Sequence, residues 1–387
     1  MFHFSALPPL SLYVHLPWCV RKCPYCDFNS HEIKNTIPEW AYVDALIADL
    51  EQELPAIWGR PVETVFIGGG TPSLFSPEAI DRLLSQFRAL LALPAAAEIT
   101  LEANPGAVET GRFAEFRAAG VNRLSIGIQS FDDGMLAKLG RIHDARQAVI
   151  AAETAHAAGF AELNLDLMYG LPGQTVEQAL ADLERALALR ITHLSHYQLT
   201  IEPNTRFAHT PPTLPDDDAI WEMQQTCQTR LAADGFENYE VSAYARSGHR
   251  CRHNLNYWRF GDYLGIGAGA HAKISSAQTQ RIVRGAKLRH PREYLAAANG
   301  AKRIADERVL SRQEAGFEFM LNALRLSDGF EVPLFARHTG LPLSTVETPL
   351  QEAEARGLIE RDMHIIRPTA LGRRFLNDLT ALFLPED

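Results

Sequence analysis

The chain has 387 residues, 46% of them hydrophobic and 22% charged, with a formal net charge of -10. That length exceeds one ordinary domain, so a large α/β unit with at least one smaller unit is expected. No apolar run approaches the roughly 18 residues that a membrane span needs. The first residues lack the basic and apolar segments of a secretory signal, and the acidic balance argues against general nucleic-acid binding. The expectation is a cytoplasmic protein, not integral to a membrane, with no nucleic-acid partner.

In chain order, β-like runs at Leu12–Leu16, Val62–Ile67, Ile99–Glu102, Arg123–Ile128, Leu163–Met168 and Leu194–Leu199 are each followed by a helical pattern. The helical patterns cover Trp40–Leu54, Pro77–Leu91, Arg112–Ala119, Ala145–Ala158, Val176–Leu189 and Asp218–Ala233, with apolar residues near the 3.6-residue period. Repeated β-then-α order predicts a parallel sheet with helices outside. Six units suit an open or partial barrel better than a full eightfold one. This first unit is bounded at 1–244. Residues 245–310, rich in Gly, His and aromatics, read as a loop-rich connection. From 311 to 387, helices at Ser311–Leu326, Val332–Arg337 and Ser344–Arg356, two short β runs and a last helix from Ala370 predict an α+β, winged-helix-like domain. With 8 Lys and Arg against 12 Asp and Glu, that domain is too acidic to suit DNA.

In parallel α/β folds the chemistry collects where strands end. Here the first strand runs into "CVRKCPYC", the second into "GGGTP" (Gly68–Pro72), and the third ends in "LEANP" with Glu102. The fourth runs into "GIQSF" with Gln129, and the fifth carries Asp166 towards "MYGLPGQ". Of the five cysteines, Cys19, Cys23 and Cys26 are clustered while Cys227 and Cys251 stand alone. Three together in a chain of this composition point to metal or redox chemistry rather than to disulfides. Cys-x3-Cys-x2-Cys lets one loop wrap three corners of a cuboidal iron–sulfur cluster and leaves the fourth iron open to another ligand. Zinc completed by His15 or His31 stays open at this point.

The cysteine spacing, with Tyr25 just before the last thiol and "GGGTP" after the next strand, resembles the radical S-adenosylmethionine (SAM) superfamily with its partial (β/α)6 barrel. The resemblance implies a [4Fe-4S] cluster on Cys19, Cys23 and Cys26, whose open iron is chelated by the methionine end of SAM. It also implies a SAM site drawn from Tyr13, Gly69, Gly70, Thr71, Glu102, Gln129, Arg141, Asp166 and Thr200. Each has a plainer reading: a capping carboxylate for Glu102, a solvated charge for Arg141, a loop tie for Asp166, mouth-filling side chains for Tyr13, Gln129 and Thr200.

Within the superfamily, "YVHLPWCVRKCPYCDFNSH", "LEANP", "RLSIGIQSF" and "HYQLT" resemble the HemN/HemW group, which joins oxygen-independent coproporphyrinogen III oxidases to haem chaperones. The oxidases carry a further cysteine where this chain has Phe28, and an N-terminal extension for which Tyr13, already on the first strand, leaves almost no room. "HNLNYW" (His253–Trp258) is similar to the HNxxYW motif of the chaperones. It implies haem binding through His253, Tyr257 and Trp258, with His271 as a second candidate ligand. The resemblance therefore implies a chaperone that passes haem to apo-haemoproteins, among them respiratory enzymes at the membrane. The chain would be cytoplasmic or peripheral at the inner membrane, and a homodimer is a candidate assembly. Coproporphyrinogen III decarboxylation and radical chemistry on another substrate are the alternatives.

Overall fold

The computed structural model describes residues 2–385. Its first half follows the predicted alternation: β1 (Leu10–Leu16), α1 (Glu39–Ile57), β2 (Val62–Gly69), α2 (Pro77–Leu90), β3 (Glu98–Ala103), α3 (Phe113–Ala119), β4 (Arg123–Gln129), α4 (Ala145–Ala157), β5 (Glu162–Tyr169), α5 (Val176–Ala188), β6 (His193–Gln198) and α6 (Asp217–Ala233). Helix starts are set by side-chain caps, including capping boxes at Asp144/Gln147 and Thr175/Gln178. β1 to β6 pair in sequence order, all parallel.

The segment expected to be loop-rich is instead structured. After β7 (Glu237–Glu240) and β8 (Ala243–Ala245) come α7 (Arg252–Trp258), β9 (Asp262–Ile266), β10 (His271–Ser276), β11 (Arg281–Lys287) and β12 (Ile304–Val309). β9 lies parallel beside β1, so the parallel part of the sheet has a seventh strand that the sixfold reading did not contain. The full order is β12-β11-β10-β9-β1-β2-β3-β4-β5-β6-β8-β7, with antiparallel strands at both ends. Among the described residues no pairing joins β12 to β7, so the sheet is open. Glycine misled the reading here: a Cβ on Gly265 would lie 2.0 Å from the His271 carbonyl oxygen, so glycine marks tight backbone contact, not a loop.

Side chains alternate across the parallel strands. Leu12, Val14, Val65, Ile67, Leu101, Leu124, Ile126 and Leu165 point to the helices and form one core with Leu46, Leu50, Leu83 and Phe87. The other face is polar. Thr64 Oγ1 donates to Ser11 Oγ (2.8 Å), and Asn164 Nδ2 donates to Ser125 Oγ (2.8 Å). Four fully buried alanines of α4, Ala148, Ala151, Ala152 and Ala155, let that helix approach the sheet closely.

The C-terminal unit has α8 (Arg312–Ala323), a helix at Val332–Thr339, a helix at Glu347–Ala355 and a small antiparallel sheet of Phe330–Glu331, Ile365–Pro368 and Ile359–Arg361. Its own core of Phe319, Phe330, Phe335, Leu350 and Ile366 also takes in Phe2 and Phe4 from the other end of the chain.

Buried Asp49 on α1 fastens the first half of the chain to the second. Its carboxylate accepts from Lys287 Nζ (2.8 Å), Arg303 Nε (2.6 Å) and Tyr294 Oη (2.8 Å). Removing one member of a buried, hydrogen-bonded ion group leaves charges uncompensated. Asp49→Ala is expected to cost about 3 kcal/mol, read as a lowered urea midpoint; an unchanged midpoint would contradict this role.

Candidate functional site

The carboxyl ends of β1 to β6 form one rim, and the cysteine loop closes over it. Gly70 sits so tightly there that a Cβ would lie 2.5 Å from the Trp18 carbonyl oxygen, which is why the turn needs glycine. Gly69 holds a φ of 118°. Each clustered thiol meets a polar neighbour: Thr71 Oγ1 donates to Cys19 Sγ (3.5 Å), Arg141 Nη1 to Cys23 Sγ (3.7 Å), and Cys26 Sγ lies 3.8 Å from Ser30 Oγ. Burial pushes the Cys19 and Cys26 thiols up. Thiolates in such a site need a bound cation, and donors of this kind tune it.

Beside the thiols the SAM candidates gather. Glu102 is half-buried and accepts from the Gly69 N–H (3.0 Å); Asp166 accepts from Asn164 Nδ2 (2.7 Å). Burial, then the neighbouring Asp166, pushes the Glu102 carboxyl up to about 8. Burial also raises Asp166. Two half-buried carboxyls whose ionisation is disfavoured by desolvation suit a ligand that carries an ammonium and a sulfonium. Burial, then Glu102, raises the Tyr13 hydroxyl, which hydrogen-bonds His15 Nδ1 (2.9 Å). Gln129 adopts a φ of 73°, its Oε1 accepting from Tyr197 Oη (2.7 Å). Buried Asp182 on α5 holds the turn after it, accepting from Ser130 Oγ (2.6 Å) and the Phe131 N–H (2.7 Å).

Arg141 is not a solvated charge. Its Nη2 donates to Asn104 Oδ1 (2.6 Å), and Asn104 Nδ2 in turn donates to Thr71 Oγ1 (2.8 Å), so the asparagine joins the arginine to the glycine-rich turn. Arg141 Nε is buried without a protein partner, a donor free for a cofactor carboxylate. Next to it opens a cleft of about 350 Å³ lined by Val20, Cys23, Thr71, Asn104, Arg141 and His143. Thr200 follows β6 and is exposed. Sequence reasoning missed Asn104 and Tyr197, although both stand inside quoted motifs, "LEANP" and "HYQLT".

The residues present fit the cluster and SAM: three thiols on one loop, two half-buried carboxyls, an unpartnered arginine donor and a backbone cradle. Together, when bound, the two groups supply one-electron reductive cleavage of the sulfonium. Cys19, Cys23 and Cys26 would hold the cluster, and Glu102, Asp166 and Arg141 would orient the cofactor.

The structure does not bring the HNxxYW segment to this rim. α7 packs under the amino ends of the strands: the His253 ring is buried, its Nδ1 2.8 Å from Thr64 Oγ1, and its backbone N–H donates to Glu98 Oε1 (2.9 Å). Burial lowers His253 to about 3. Tyr257 is exposed and Trp258 half-buried, the two rings edge to face at 5.1 Å, with the Arg325 guanidinium 4.3 Å from the Trp258 ring.

A carboxyl whose folded pKa stands above its unfolded value removes stability as pH rises from the unfolded value of 4.5 to about 8, because only the unfolded chain ionises there. The ligand-free protein should therefore lose thermal stability between about pH 5 and 8, and Glu102→Gln should flatten that loss in a melting series; parallel pH profiles would contradict it.

Comparison with known proteins agrees with this geometry. A family model described as Radical SAM superfamily matches residues 13–186, and one described as HemN C-terminal domain matches residues 310–375. The chain is 49% identical to the heme chaperone HemW of Escherichia coli (strain K12), over 98% of this chain and 99% of that one. It is 32% identical to the heme chaperone HemW of Bacillus subtilis (strain 168), over 97% and 99%. Among solved structures, coproporphyrinogen III oxidase (HemN) from Escherichia coli superposes with a TM-score of 0.82 at 24% identity, covering 97% of this chain and 90% of that one, a likeness of fold. With its cysteine loop, its glycine-rich turn and this end-to-end similarity, the chain belongs to the radical SAM superfamily, in the family of the heme chaperone HemW.

Proposed function

We propose that this chain is a haem chaperone: it binds haem and hands it to apo-haemoproteins, with respiratory enzymes at the membrane as acceptors. It carries a [4Fe-4S] cluster on Cys19, Cys23 and Cys26 and binds SAM through Glu102, Asp166, Arg141 and the Gly69–Thr71 turn. It works in the cytoplasm or peripherally at the inner membrane, alone or as a homodimer. Among the described residues no helix is long and apolar enough to cross a membrane.

The observation that carries this reading is 49% identity to a heme chaperone across essentially the whole of both chains. Phe28 supports it: the side chain is 60% exposed beside the cysteine loop, at the place where the oxidase pattern has a further cysteine. A chaperone must release what it carries, so its haem affinity must be moderate and open to change by whatever else the chain binds. The rival, oxidative decarboxylation of coproporphyrinogen III, shares the fold, and fold alone does not assign chemistry.

An anaerobic titration of the cluster-reconstituted chain with haem should show saturable one-to-one binding in the Soret region. The same preparation, given SAM, a low-potential reductant and coproporphyrinogen III, should form no protoporphyrinogen IX. Decarboxylated product without specific haem binding would reverse the assignment.

A further inference from the structure

A line of hydrogen bonds crosses the polar interior and ends on Asp166, and two of its members, His193 and Tyr239, lie outside the cofactor site. Asn164, two residues before Asp166 on β5, stands at its centre. Its Nδ2 donates to Asp166 Oδ1 (2.7 Å) and to Ser125 Oγ on β4 (2.8 Å), which uses both of its N–H bonds. Its Oδ1 therefore faces β6, where His193 Nδ1 lies at 2.6 Å and Ser195 Oγ donates from 3.2 Å. His193 Nε2 is in turn 2.7 Å from Tyr239 Oη on β7. Both His193 and Tyr239 are buried.

The direction of every link follows from these partners, because an amide oxygen only accepts. His193 must carry its proton on Nδ1. Burial, then the nearby Arg123 cation, lowers His193 well below its ordinary value, so the ring is neutral and Nε2 keeps its lone pair. Tyr239 Oη donates to that lone pair. From the tyrosine hydroxyl through the imidazole to the amide, each donor points towards Asp166.

Asn164 has a second orientation open to it. A reversed amide would set its carbonyl against the Asp166 carboxylate and its N–H bonds against His193. The two serines do not choose between the orientations, since a hydroxyl both donates and accepts. The choice is made by the Nδ1 proton of His193, and the Tyr239 hydroxyl keeps it there by occupying Nε2. Aligned donors also polarise one another and favour a carboxylate at the end of the line. Asp166 needs that support: burial raises it and Glu102 faces it, while Arg141 and the bonds from Asn164, Ser195 and Ser125 act the other way. Tyr197, the remaining titratable neighbour, is itself raised by burial and then by Asp166.

We propose that His193 and Tyr239 are positioning residues for SAM: acting through the Asn164 amide, they hold Asp166 as an oriented, ionised acceptor for the cofactor. Neither touches the cofactor, and the inference rests on the SAM site proposed above.

The test is anaerobic equilibrium binding of SAM to the cluster-reconstituted full chain, followed from about pH 6 to 9 in wild type, Tyr239→Phe, His193→Leu, His193→Gln and Thr100→Val, with melting temperatures recorded for each. Losing a donor raises Asp166, so Tyr239→Phe and His193→Leu should bind SAM about fivefold more weakly at neutral pH and recover as the pH rises. His193→Gln can donate to Asn164 and accept from Tyr239, and should keep most of the affinity. Thr100→Val removes a buried hydroxyl that has no partner, and should match wild type. Wild-type affinity and pH profile in Tyr239→Phe would overturn the proposal. So would a loss that is equal at every pH or shared by Thr100→Val, or a glutamine no better than leucine at 193, since a merely structural defect gives those results. A wild-type chain that binds no SAM would instead sink the SAM site itself.

Discussion

The strict alternation of side chains along seven parallel strands is the constraint on which the molecule depends. One face of the sheet must be apolar to hold the helices, so every polar group on those strands is forced onto the other face, out of bulk water. There each must find a partner. The pairs Thr64 with Ser11 and Asn164 with Ser125 are that requirement met in the middle of the sheet. Two donors go without a protein partner, Thr100 Oγ1 on β3 and Arg141 Nε at the carboxyl end. The proposed cofactor site lies beside the second of these, Arg141 Nε.

The same geometry gives the sheet two dissimilar ends. At the carboxyl end, loops are long and glycine lets backbone crowd around the thiols, as at Gly70. At the amino end, α7 seals the interior, with Glu98 taking the backbone N–H of His253 and Cys251 Sγ 3.5 Å away. A metal cluster needs the first kind of end and would find no loop to hold it at the second. The antiparallel strands beyond β9 extend the carboxyl end sideways and bring His271 and His290 to it, which the six β/α units alone could not do.

Much of this was legible in the sequence because it is local. The six predicted strands and their helices rest on periodicities within single segments, and the cysteine spacing is contained in one loop. What was not legible depends on partners far away. β9 looked like a glycine-rich loop because the pairing that makes it a strand is with β1, some 250 residues earlier. Asn104 and Asn29 are ordinary loop asparagines until the fold sets Arg141 beside one and Ala268 beside the other. The position of His253 was hidden in the same way, because burial beneath a sheet leaves no trace in a six-residue motif.

The central claim is that the chain carries haem for other proteins. The most direct measurement mixes the haem-loaded, cluster-containing chain with an apo b-type cytochrome and follows the Soret band of each after separation. The account predicts that the cytochrome gains its native spectrum faster than from an equal concentration of haem released by a non-specific carrier, while the chain loses its own Soret band in step. Haem that stays on the chain, or that moves no faster than from the carrier, would contradict it.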